Sequence, residues 1–413
     1  MEAKMQLLFP RCAGLDVHSK VVVACMRSES TGSLHYETRS FATTTAGLLA
    51  LSTWLITHEC THVAMEATGV YWKPVWHVLE ETFQLCLANA QHIKNVPGRK
   101  SDVKDAQWIA DLFAYGMIRG SFVPPPAVQE LRDLTRTRKQ LVRERVQHTQ
   151  RLQKVLEDAN IKLTNALSDL LGESGRAILD ALVAGETDPD KLASLANYRV
   201  KASRQALVDA LRGRVTSHHR FLLKLHLKVI DDVDATLAVL DEEVGRQLEP
   251  FQDVVKLLAT MPGVSERVAH VIVSEIGIDM QRFRTAGHLI SWAGLCPQLN
   301  ESAGKRKSTR LRKGAPWLKT VLVQSALSAI RVKGSYFQSQ FHRVRARRGA
   351  KKALIAVAAS MLTAAYFMIS RCEVYRDLGA THFDTINEAK TTNRLVKRLA
   401  DLGYAVELKK IAA

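Results

Sequence analysis

Apolar residues in the first third of the chain fall in three short β-rich runs, at 12–17, 20–27 and 34–41, with turn chemistry at 28–32 between the second and third. That spacing predicts a three-stranded meander. Helical periodicity over 46–58, 70–83 and 103–116 then alternates with strand-like runs at 62–67 and 84–90. The predicted order is βββαβαβα, an α/β domain.

Pro124, Pro125 and Pro126 interrupt this pattern. Three prolines neither continue a helix nor donate to a sheet, so they mark a boundary. Beyond them the chain reads as all-α. Leu131, Leu134, Leu141, Leu152 and Val155 follow coiled-coil spacing, although Arg138, Arg145 and His148 sit in the same seam. A second stripe has Leu222, Leu225, Val229, Val233, Leu237, Leu240 and Val244, and the Gly-, Asp- and Ser-rich 172–189 is expected to connect helices. From Phe251 the pattern becomes helix, Pro262-Gly263-Val264 hairpin, helix, then a basic stretch and apolar helices at 318–332 and 353–369. The expected domains are 1–125 (α/β), 126–250 (a long helical coiled-coil arm) and 251–413 (mainly helical, with a helix-hairpin-helix-like segment).

Charge changes the picture. With 413 residues, 58 Lys+Arg and 41 Asp+Glu, the chain carries +17, which makes an acidic polymer the leading partner. Residues 1–125 hold 11 basic and 11 acidic side chains, whereas 301–352 hold 15 basic against Glu301 alone, or +14. Six cysteines without a C-x-x-C pair exclude a zinc-ribbon reading, and the short apolar run Leu7-Leu8-Phe9 is no signal peptide, so the cytoplasm is expected. The uncharged stretch 353–370 reads as a buried helix, with no membrane partner.

Asp16 sits in an apolar first strand and Glu66 ends the apolar Val63-Ala64-Met65, while Asp102 and Asp105 share one face at the start of a helix. A carboxylate at a buried strand costs several kcal/mol unless compensated, and acids from separate elements suit Mg2+. A helix cap at Asp102 and ion pairs of Asp105 with Lys100 or Arg99 explain two of the four without a metal. The element order is that of the ribonuclease H fold.

Three segments carry a more specific resemblance: Gly14-Leu15-Asp16-Val17-His18, Met65-Glu66-Ala67-Thr68-Gly69-Val70-Tyr71-Trp72 and Lys100-Ser101-Asp102-Val103-Lys104-Asp105-Ala106. They resemble the DEDD transposases of insertion-sequence family one-ten, whose first domain is RuvC-like. The resemblance implies that Asp16, Glu66, Asp102 and Asp105 are the metal-binding tetrad, with Mg2+ as cofactor. His18 is also in the family pattern. Gly294-Leu295-Cys296-Pro297, followed by Asn300-Glu301-Ser302-Ala303-Gly304, resembles a second block of the family, in which a loop serine is the nucleophile; Ser302 matches it and Ser308 competes locally.

Lys305, Arg306, Lys307, Arg310, Arg312 and Lys313 follow that serine, and Arg343, Arg345, Arg347 and Arg348 form a second cluster; both suit a phosphate backbone. Trp292, Trp317, Tyr336 and Phe337 are interleaved with these cations and suit either stacking on bases or core packing, the second being the preferred reading. The resemblance implies a transposase or site-specific recombinase that forms a covalent serine–DNA link on donor and target DNA, guided by a bridging non-coding RNA. The arm is expected to mediate a homo-oligomer, dimer or tetramer. A Holliday-junction endonuclease and a non-catalytic nucleic-acid-binding protein are the alternatives.

Overall fold

The computed structural model describes residues 7–408 apart from 31–32, 68, 90–92, 94–104, 119, 299, 303–304 and 387. It divides into two compact units, Met1–Val123 and Pro124–Ala413.

In the first unit β1 (Arg11–Val17), β2 (Val21–Ser30), β3 (Ser33–Ala42), β4 (His62–Glu66) and β5 (Gln84–Ala88) form one sheet in the order β3-β2-β1-β4-β5. The first three strands are antiparallel neighbours, whereas β4 lies parallel to β1 and β5 parallel to β4. Successive side chains on a strand point to opposite faces. Ala13, Leu15 and Val17 of β1, with Val63 and Met65 of β4, therefore pack together against α1 (Thr45–Thr57) and α2 (Trp72–Leu79) through Leu48, Leu51, Leu55, Val75 and Leu79. The alternate residues Cys12 and Ala64 meet α3 (Asp105–Ala114) through Ile109, Leu112 and Phe113. Arg27 of β2, 1% exposed, pins α3 by bonding Asp111 at 3.2 Å while also holding Glu29 at 3.0 Å. The Tyr36 hydroxyl donates to the same Asp111 carboxylate at 2.5 Å.

The second unit is helical apart from one small hairpin. Its arm pairs α4 (Pro126–Asp158) with a helix that returns along it, and between them lie α5 (Glu173–Ala184), α6 (Pro189–Ser194) and α7 (Arg204–Leu211). The returning helix is α8 (Ser217–Leu248). The charged residues that interrupt the apolar seam are matched across it. Arg138 holds Asp241 with bonds of 2.5 and 3.0 Å, Arg145 holds Asp234 at 2.6 Å, His148 faces His226 at 3.2 Å, and His219 bonds Asp158 at 2.9 Å. The seam is an antiparallel pair within one chain.

One expectation is corrected here. Residues 172–189 contain α5 rather than only a connection, because their polar residues sit at its ends while the interior is amphipathic. Gly172 is its N-cap and Gly185, at φ 108°, its C-cap; Ile178, Leu179 and Leu182 join Leu152, Leu156, Leu223 and Leu227 in the core of the arm's tip.

At its root the arm is fastened to the C-terminal helices. After α9 (Gln252–Ala259), helix α10 (Glu266–Ile276) presents Glu275, whose side chain is 1% exposed. Arg136 of α4 clamps that carboxylate with bonds of 2.8 and 2.9 Å, and Arg132 donates to the Glu275 carbonyl at 2.6 Å. Burial pushes the Arg132 guanidinium down to about 10.

The hairpin glycine between α9 and α10 is taken up by packing. Gly263, at φ 80°, lies so close to α12 (Pro316–Ala329) that a Cβ there would stand 2.5 Å from the Ser325 carbonyl oxygen. Before α12 comes α11 (Ala286–Ala293), and after it α13 (Tyr336–Arg348), α14 (Ala350–Arg371) and α15 (Glu388–Asp401). Helix α14 is long and apolar enough to cross a membrane by length and composition. In this fold it is the central core helix, burying Val357, Met361, Leu362 and Ala365 against α11, α12 and α13. Residues after it strap the start of α13: the Tyr336 amide donates to Asp377 at 2.9 Å and Phe337 stacks on Tyr375 at 5.5 Å.

Removing one side of a buried pair leaves the other charge uncompensated, whereas a half-exposed pair is worth little. Glu275→Ala is therefore expected to cost about 3–5 kcal/mol and Asp241→Ala about 1 kcal/mol or less in urea unfolding of the full chain. Equal effects would contradict the assignment of Glu275 as the arm's root.

Candidate active site

Two groups of residues bear on chemistry, one in each unit. In the first, β1 and β4 are paired in parallel up to Leu15↔Met65. Asp16 and Glu66 are the next residue on each strand and stand level on neighbouring strands, about 4.8 Å apart in backbone spacing. Alternation puts both on the face that carries Cys12 and Ala64, which is the face α3 covers. Gly14 allows that helix its close approach. A Cβ at Gly14 would lie 2.2 Å from the Ala106 carbonyl oxygen and 2.4 Å from the Ala110 nitrogen. Asp105, the first residue of α3, adjoins Ala106 and so starts from the same face as Asp16, two residues beyond Gly14.

Asp16 is 21% exposed and shares a 3.0 Å hydrogen bond with His18 Nε2. Asp102 lies outside the described residues. Among those described, no three His, Cys, Asp or Glu side chains close into a ready-made metal cage. Asp16, Glu66 and Asp105 offer carboxylate oxygens, which suit Mg2+ rather than a soft metal, and the Cys12 thiol on the same face is buried and bonded to the Ala110 carbonyl. Mg2+ needs only one or two protein carboxylates together with water and substrate phosphate, so these residues fit it. The six cysteines are free, and burial pushes the Cys12 and Cys60 thiols up to about 12, leaving them protonated and inert.

In the second unit the serine segment corrects a further expectation, since the loop around Ser302 is largely a β-hairpin. Strand β6 (Asn300–Ser302) pairs with β7 (Lys305–Ser308), with Ser302 opposite Lys305. Residues 303 and 304 join them and lie outside the described residues. Ser302 is thus the last residue of β6. Ser308 stands opposite Asn300 at the far end, and its hydroxyl accepts the Arg310 amide at 3.2 Å.

The hairpin's root is a glycine contact. Gly294 and Gly314 both have positive φ, and a Cβ on Gly314 would lie 2.3 Å from the Gly294 nitrogen. Lys319 closes the root by donating to the carbonyls of Arg312 at 3.3 Å and Lys313 at 3.0 Å. An antiparallel pair needs the backbone groups of both strands, and the basic spacing of Lys305, Arg306 and Lys307 gives no alternating apolar pattern that would announce it.

Arg310, Arg312 and Lys313 are exposed beside this root, with Arg312 donating to Ser291 at 2.9 Å. Arg345, Arg347 and Arg348 are exposed at the C-terminal end of α13, where the helix dipole favours cations; Arg343 is half-buried over Phe383.

With these two groups placed, comparison with known proteins decides the family. Residues 13–161 match the DEDD transposase family of IS110, and residues 255–342 match the transposase IS116/IS110/IS902 family. The chain belongs to the IS110 family of transposases. The first match runs from β1 through α4 and contains the acids; the second runs from α9 into α13 and contains the Ser302 hairpin with the cations at its root. An uncharacterized 44.8 kDa protein of insertion element IS116 from Streptomyces clavuligerus is 27% identical over 280 residues, covering 59% of this chain and 68% of the relative. As a transposase, the protein acts on DNA.

Sequence patterning left Gly14 unremarked, although a glycine two residues before a candidate ligand on the same strand face signals close backbone approach. Gly14→Ala is expected to lift α3 off β1 and weaken divalent-metal binding by the folded protein about 10–100-fold, as loss of supporting contacts does at other metal sites. A folded variant with an unchanged divalent-metal titration would contradict the placement of Asp105 beside Asp16.

Proposed function

We propose that this transposase cuts DNA with two chemically distinct sets of residues: carboxylates on a ribonuclease H-like, RuvC-like first unit, and Ser302 on the β-hairpin of the second. The observation that carries the proposal is the level placement of Asp16 and Glu66 on adjacent parallel strands, with the helix of Asp105 seated on the same face. A meander followed by two parallel strands, in the order β3-β2-β1-β4-β5, supports the fold assignment.

Asp16, Glu66 and Asp105, joined by Asp102, are the residues that would hold Mg2+. A bound divalent ion supplies charge stabilisation at phosphorus. Ser302 Oγ forms the new bond to phosphorus, the bridging P–O bond breaks, and the departing deoxyribose oxygen takes up the proton that Ser302 loses. Lys305, Arg306, Lys307, Arg310, Arg312 and Lys313 on and beside the hairpin, with Arg343, Arg345, Arg347 and Arg348, neutralise phosphates of the DNA. Ser302 is favoured over Ser308 because the Ser308 hydroxyl is engaged at the root, accepting the Arg310 amide.

A structured non-coding RNA selects donor and target on this proposal, and the working form is a homo-oligomer, dimer or tetramer. The arm is the element assigned to that assembly; its two long helices also pair with each other within the chain.

The test incubates the protein with Mg2+, the element's non-coding RNA and its DNA, and looks for a covalent protein–DNA adduct on a denaturing gel. Wild type is expected to form the adduct, and Ser302→Ala to lose it. Asp16→Asn or chelation by EDTA is expected to lower its rate by at least about 100-fold, given the several kcal/mol a metal contributes to such a step. An adduct that survives Ser302→Ala removes Ser302 as nucleophile, and one indifferent to EDTA removes the metal.

A further inference from the structure

The arm's root carries two cations that the fold leaves without a counter-charge. Arg136, Arg138 and Arg145 of α4 each meet an acid, at 2.8, 2.5 and 2.6 Å. Lys139 and Arg143 lie three and seven residues beyond Arg136, on the same side of the helix. Arg143 is exposed, and its guanidinium stands 5.1 Å over the ring of Trp317; Arg136 approaches the same ring at 5.8 Å. Lys139 is half-buried, and burial together with the Arg143 charge holds its ammonium below the usual lysine range. Neither Lys139 nor Arg143 forms an ion pair with an acid among the described residues. Two facing cations beside a half-exposed indole are unfavourable alone and become favourable once a polyanion lies between them.

The position of Trp317 gives the surface its direction. It is the second residue of α12, three beyond Gly314, whose backbone abuts Gly294 at the root of the Ser302 hairpin. The cations at Lys313 and Arg310 continue from it toward β7.

We propose that Lys139, Arg143 and Trp317 form a DNA-binding surface at the root of the arm, gripping the phosphate backbone of the duplex whose strand reaches Ser302. Arg143 and Lys139 contact phosphates, and Trp317 keeps the Arg143 guanidinium flat and extended toward them. Such contacts position DNA without reading its sequence. The surface rests on the proposal that the hairpin acts on DNA. The two fail separately, because Ser302→Ala is judged by the adduct and this surface by binding.

The experiment measures anisotropy of a fluorescein-labelled duplex of arbitrary sequence with full-length protein, between about 50 and 200 mM salt. The Lys139→Gln/Arg143→Gln double variant is expected to bind about tenfold more weakly and to lower the slope of log affinity against log salt by about 2, equally for the element's own ends. Arg143→Gln alone, at an exposed position, is expected to lower the slope by about 1 and keeps the test open if the double variant does not fold. Wild-type affinity and slope in the folded variants overturn the proposal. So does a loss confined to the element's structured RNA, with duplex binding unchanged.

Discussion

Carboxylates kept for a metal and a lysine–arginine surface kept for a polyanion neutralise one another when they fold side by side, because opposite charges within a few ångströms are strongly attracted. The chain meets this constraint by segregation. Its first unit is electrically balanced and spends Asp111 and Glu29 on the buried Arg27, while Asp16 and Glu66 stand at the C-terminal ends of the two interior strands β1 and β4 and Asp105 at the start of α3. The surplus of +14 lies in 301–352, on and after the hairpin. Between them in sequence, the arm consumes most of its own charge: Arg136 on Glu275, Arg138 on Asp241, Arg145 on Asp234.

Backbone contacts rather than side-chain bulk set the geometry of both groups. Gly14 lets α3 rest on β1, Gly263 lets the α9–α10 turn rest on α12, and Gly294 meets Gly314 at the hairpin's root. In each case a Cβ would fall inside van der Waals distance of a neighbouring main chain, and rigid contacts of this kind hold reacting groups in place better than flexible side chains do.

Much of this was legible in the sequence. Period-two alternation and turn residues placed β1 to β5 within a few residues, since those strands are short and flanked by polar turns. Asp16 and Glu66 stood out because a carboxylate at the end of an apolar strand demands a partner. Three features were hidden. Helix α5 was masked by the polar residues at its ends. The β6–β7 hairpin has no apolar alternation to betray it. The Arg138, Arg145 and His148 interruptions of the seam resolve only when α8 is laid against α4, because their partners are about a hundred residues away. Trp317 looked like a core residue and is half-exposed under Arg143 instead.

The claim that the acids are reserved for metal while the cations hold DNA is tested most directly by anomalous diffraction from crystals of the DNA-bound protein soaked with Mn2+. A peak between the Asp16 and Glu66 carboxylates, with Asp105 beside it and a DNA phosphate among its ligands, is the result expected. Ordered carboxylates without a peak, or acids paired with lysine or arginine in their place, would contradict it.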